Sequence, residues 1–65
     1  MNIRLNGKQV ASKSRTLMDL VLEKGFDPDA LIAEVNFKVI RQEIWKEVAI
    51  REGDIIELLS FVGGG

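Results

Sequence analysis

Sixty-five residues, 46% of them hydrophobic and 29% charged, suffice for one small core and are too few for two. That length disfavours an enzyme with its own cleft and lid, and a formal net charge of -1 with scattered basic residues gives no general attraction to nucleic acid. Cysteine and histidine are both absent, which removes disulfides, thiolate metal sites, a cysteine nucleophile and the usual general base near neutral pH.

From the N-terminus, Asn2-Ile3-Arg4-Leu5 alternates polar and apolar and runs into Asn6-Gly7, with Val10 beyond. This predicts a β-hairpin with a type I′ turn, whose two central residues need positive φ. Leu17, Leu20, Val21 and Lys24 fall at helical spacing, so a helix is expected over about 17–24, capped by Thr16 with Asp19 and stopped by Gly25. Asp27-Pro28-Asp29 prevents its resumption. Leu31 to Val35 reads as a strand returning through Lys38 to Ile40. Phe37 accepts a left-handed conformation only with strain, so the Asn36-Phe37 turn is expected to depart from the I′ form. Gln42 to Trp45 suits a single helical turn, Arg51-Glu52-Gly53-Asp54 a turn, and Asp54 to Phe61 the longest strand.

The final strand, with Ile55, Ile56, Leu58, Leu59 and Phe61, is too apolar for a sheet edge. A central position parallel to the first strand satisfies both of its backbone sides. The expected fold is therefore α+β, a ubiquitin-like β-grasp with one main helix on one face of a mixed sheet, comprising a domain over 1–61 and a flexible tail over 62–65. No stretch nears the roughly 18 apolar residues of a membrane span and no apolar signal segment is visible, which suits the cytoplasm and no membrane partner.

Val62-Gly63-Gly64-Gly65 is the unusual chemical feature. Glycines lack a Cβ, so such a run can pass through a channel that rejects side chains, and at about 3.3–3.6 Å per residue it spans roughly 13 Å. The carboxylate of Gly65, with a reference pKa of about 3.3–3.7, is ionised near pH 7 and a poor electrophile until activated, for example as an adenylate. The plainer alternative is a frayed end or an expression scar. A position directly after the most apolar strand favours function, because a delivery arm benefits from a stiff base.

The start Met1-Asn2-Ile3 with Leu5-Asn6-Gly7, Thr16-Leu17 with Asp19-Leu20, Val35-Asn36, Trp45, Arg51-Glu52-Gly53-Asp54 and Phe61-Val62-Gly63-Gly64-Gly65 together resemble the ThiS family, the small β-grasp sulfur carriers of thiamine biosynthesis. The resemblance spans the whole chain. It implies a protein co-substrate rather than an enzyme, whose Gly65 carboxylate, approached through Gly64, becomes an adenylate and then a thiocarboxylate. It also implies an ATP-using, ubiquitin-activating-like adenylating partner, a persulfide-bearing desulfurase as sulfur donor and a thiazole synthase as consumer. No cofactor is expected to bind stably, ATP and Mg being used by the activating partner. Two departures stand out, Asn36-Phe37 where similar carriers often have Asn-Gly or another turn-friendly pair, and Ile40-Arg41 where a proline often precedes the Trp45 segment. A molybdopterin-type carrier shares the fold and the diglycine end; a non-covalent β-grasp regulatory or binding module is the alternative from another class.

Alternation along the last strand adds a surface. With Ile56 and Leu58 facing the helix, Ile55, Glu57, Leu59 and Phe61 face away. Their apolar members, together with Val62, Gly63 and Gly64, are the expected partner-binding residues. The competing readings are that 41–49 folds over this row, or that the phase is off by one. Trp45 reads as a core or rim anchor rather than a base-stacking platform, and the remaining charges as solvated surface.

Overall fold

The computed structural model describes residues 1–61. Two strands open the chain, β1 (Asn2–Leu5) and β2 (Lys8–Ala11), followed by helix α1 (Leu17–Glu23), strands β3 (Leu31–Val35) and β4 (Lys38–Ile40), and a last strand β5 (Ile55–Ser60). Short 3-10 turns lie over Pro28–Ala30 and Gln42–Ile44. The sheet order is β2-β1-β5-β3-β4, so β5 is central, parallel to β1 and antiparallel to β3. This is the β-grasp arrangement expected from the sequence, with the last strand one residue shorter at each end.

The helix forms where its end signals stand. Thr16 is the N-cap, its hydroxyl accepting from the Asp19 amide at 3.1 Å while the Asp19 carboxylate accepts from the Thr16 amide at 3.3 Å, a full capping box. At the other end Gly25 takes φ 79°, its amide donating to the Leu22 carbonyl and that of Phe26 to the Val21 carbonyl, which is the Schellman closure. Leu17, Leu20 and Val21 point into the core with Ile3, Leu5, Ala33, Ile56 and Leu58. Trp45 completes it at 1% exposure, with its indole N–H donating to the Ile40 carbonyl at 2.8 Å. Trp45 is thus a core anchor, and 41–49 closes the helix side of the sheet; the opposite face is left open.

Asn6 and Gly7 have φ 50° and 82°, as a type I′ turn requires. The expectation for Asn36-Phe37 is corrected. Both residues have positive φ, 52° and 72°, and Val35 pairs with Lys38 across them, so this turn too is a two-residue loop of the I′ kind. The physical reason lies outside the turn: the Asn36 side chain accepts from the Ile55 amide at 3.0 Å and donates to the Asp54 carboxylate at 3.1 Å, fixing the left-handed residue from both sides. A left-handed Phe37 costs about 1–2 kcal/mol, and the turn adopts it because the I′ form matches the twist of the strands it joins.

The segment between β2 and α1 is held by Glu23, whose carboxylate accepts from the hydroxyls of buried Ser12 and Ser14. The Ser14 and Ser12 hydrogen bonds, assisted by the charge of Lys24, hold the Glu23 carboxyl below the usual carboxylate range.

Candidate functional site

The candidate site is built on β5, and its geometry follows from how both flanks of that strand are satisfied. On the β1 side, pairing ends at Leu5 with Ile56, and the Asn6 amide then donates to the Ile56 carbonyl at 2.9 Å. Beyond that point β1 has turned away. The Asn6 side chain takes over as a substitute strand, its oxygen accepting from the Leu58 amide at 2.8 Å and its NH₂ donating to the Leu58 carbonyl at 3.2 Å. On the other side β3 pairs with β5 from Val35–Ile56 through to Leu31–Ser60, and the Phe61 amide donates to the Ala30 carbonyl at 3.0 Å. The strand is therefore held to its last residue.

Asn6 was legible only as turn chemistry; its role on β5 spans 52 residues of sequence and has no local signal. Asn6→Gly keeps the turn conformation but deletes both side-chain bonds, leaving two part-buried backbone groups of Leu58 unpaired. The expected loss is about 1–3 kcal/mol. Urea unfolding checks it; a midpoint equal to the parent would mean that water replaces the side chain without cost.

With β5 fixed, its alternation falls in the expected phase. Ile56 and Leu58 are buried at 0% and 2%, whereas Leu59 and Phe61 are 51% and 46% exposed. Ile32, the register partner of Leu59 on β3, is exposed beside it, and Val39 on β4, the register partner of Glu34, is exposed on the same face. Of the residues singled out from sequence, Leu59 and Phe61 thus lie together at the end of β5 that leads to residue 62. Ile55 shares their face but is half-buried at the opposite end, about 13 Å from Leu59 and about 20 Å from Phe61 along the strand, where it lines a shallow pocket with Arg4, Gln9 and Glu52. Val62, Gly63, Gly64 and Gly65 lie outside the described residues.

Among the described residues, no group of three or more metal-ligating side chains gathers, and no helix is long and apolar enough to cross a membrane. The surface offers an apolar row leading to the chain end, with Glu57 set within it. Such a surface suits recognition by another protein.

The sulfur carrier protein ThiS of Bacillus subtilis (strain 168) is 37% identical over 65 residues, covering 97% of this chain and 98% of that protein. The crystal structure of the thiamine biosynthesis protein ThiS from Geobacter metallireducens superposes with a TM-score of 0.84 at 28% identity, covering the whole of both chains. A thiazole synthase of Magnetococcus marinus is 36% identical over 66 residues, where this chain spans only 20% of that protein's length. The model of the ThiS family matches residues 2–65, the glycine run included. The family-model match over residues 2–65, the whole-length likeness to the Bacillus subtilis carrier and the shared β-grasp topology agree: the chain belongs to the ThiS family.

Proposed function

We propose that this chain, a sulfur carrier of thiamine biosynthesis by family, carries its cargo as a thiocarboxylate on Gly65. The reading is supported by the family match, which runs through residue 65 and so spans Gly63, Gly64 and Gly65. In the proposed cycle the Gly65 carboxylate attacks the α-phosphorus of Mg-bound ATP in a ubiquitin-activating-like partner, releasing pyrophosphate and forming an acyl adenylate. The outer sulfur of a persulfide on a desulfurase system then attacks the acyl carbon and displaces AMP, leaving an acyl disulfide, and a thiol of that donor system reduces the S–S bond, releasing the thiocarboxylate and leaving a disulfide on the donor. A chain without cysteine holds no thiol of its own to attack the activated end. A thiazole synthase is the proposed consumer, supported by the similarity to a stretch within thiazole synthases, and the cytoplasm is the proposed location. The tail and the outer row, Ile55, Leu59, Phe61, Val62, Gly63 and Gly64, make up the proposed recognition surface.

Intact mass tests the chemistry. Incubation with ATP, Mg, the activating partner and a sulfur donor is expected to add about 16 Da, sulfur for oxygen at the terminus; an unchanged mass under conditions that modify a known carrier would leave a non-covalent binding module as the better reading. The surface has its own test. Leu59→Glu puts a charge on a half-exposed position of the outer row, so the fold is retained while docking suffers. Adenylation efficiency is expected to fall about tenfold or more, the loss of about 1.4 kcal/mol or more at an interface anchor. Unchanged kinetics would remove Leu59 from the interface.

A further inference from the structure

Glu34 on β3 and Glu57 on β5 are register partners on the open face of the sheet. Next to them along the strands lies the exposed Ile32–Leu59 pair; Val39 is the register partner of Glu34 on β4, and Ile55 lies two residues before Glu57. Cross-strand partners hold their Cβ atoms about 4.5–5.5 Å apart, and like charges at such positions destabilise a sheet. Ion pairs among the described residues join Lys24 to Glu23 and Arg41 to Glu43, so neither member of this carboxylate pair has a cation within ion-pair distance there. Arg4 shares the face, but its register partner is Ile55. Two half-buried glutamates are therefore cross-strand partners, bordered by apolar side chains, with no described cation within ion-pair distance of either.

We propose that the open face docks a partner surface that is apolar around one arginine or lysine, and that this cation seats between Glu34 and Glu57. The inference deepens the proposed recognition of the adenylating enzyme through the outer row, and rests on it. Charge complementarity selects the occupant. A guanidinium presents paired donors that two carboxylates can share, and closure of Ile32, Leu59 and Val39 around it excludes water, which strengthens the pairing. A second copy of this chain is the poorer occupant, because a two-fold axis through this face sets four carboxylates around itself. In the complex the seated cation offsets the like charge of the cross-strand pair.

The test measures the affinity of the purified chain for the adenylating enzyme by calorimetry at low and high salt, with Leu59→Glu alongside. The double variant Glu34→Gln with Glu57→Gln is expected to bind several-fold more weakly and with a flatter salt dependence, while its thermal midpoint rises or holds. The double variant Glu34→Lys with Glu57→Lys is expected to lose at least tenfold. If Leu59→Glu weakens binding while both double variants bind as the parent does, the face is an interface but the cation is not part of it, and the inference falls alone. If Leu59→Glu and both double variants all bind as the parent does, the outer-row reading falls as well. Sedimentation showing a parent dimer that the lysine variant dissolves would make a second copy the occupant and overturn the proposal.

Discussion

Trp45→Ala is expected to leave the chain largely unfolded at 25 °C. The indole is almost wholly buried at 1% exposure, among Leu17, Ile56 and the rest of the single core. Truncating such a residue to alanine costs about 3–5 kcal/mol in lost burial and residual cavity. A core of this size without disulfide or metal rarely supplies more than about 3–5 kcal/mol in all. Cost and total are equal within error, so the folded population should collapse. A second loss acts in the same direction, since the Ile40 carbonyl loses the indole N–H that it accepts at 2.8 Å. Trp45→Phe separates the two effects: it keeps most of the apolar volume and deletes the bond, for an expected cost of about 1–3 kcal/mol, or a midpoint lower by about 4–8 °C per kcal/mol. Far-UV circular dichroism reads both variants, since the chain's sole tryptophan is the residue removed. A cooperative melt of Trp45→Ala near the parent midpoint would mean that the core closes over the gap.

What the sequence made legible and what it did not divides by range of interaction. The capping box at Thr16 and Asp19, the Gly25 stop and the Asn6-Gly7 turn are local, each decided by residues within a few positions of one another. The phase of β5 was also readable, because Ile56 and Leu58 alternate with a row that contains Glu57. Turn geometry at Asn36-Phe37 departs from local preference. Phenylalanine disfavours φ 72° on its own account, but Asn36 is gripped by Asp54 and Ile55, 18 and 19 residues later. The grip of Asn6 on Leu58 and the opposition of Glu34 and Glu57 are products of register, and register exists only once the sheet is assembled.

For the proposed chemistry, one residue added after Gly65 is expected to abolish thiocarboxylate formation while leaving the thermal midpoint unchanged. The two halves of that expectation have separate grounds. Stability is set by residues whose last described anchor is Phe61, held through its amide to the Ala30 carbonyl at 3.0 Å, so a change four residues further on removes no contact described in the sheet or core. Reactivity depends on which atom is the carboxylate. In the extended chain the Gly65 carbonyl is an amide, which no longer supplies an oxygen nucleophile to the α-phosphorus of ATP, and the new carboxylate sits about 3.3–3.6 Å further out on a residue with a Cβ if alanine is chosen. A site shaped to a bare glycine end has no room for that methyl group, and misplacing a reacting atom by even about 1 Å can cost about a hundredfold in rate. The intact-mass assay should therefore show no gain of about 16 Da for the alanine-extended chain under conditions that convert the parent fully. Equal conversion of both chains would show that the terminus is not read by its position, and a carrier working through Gly65 would have to be given up even though the family assignment stands.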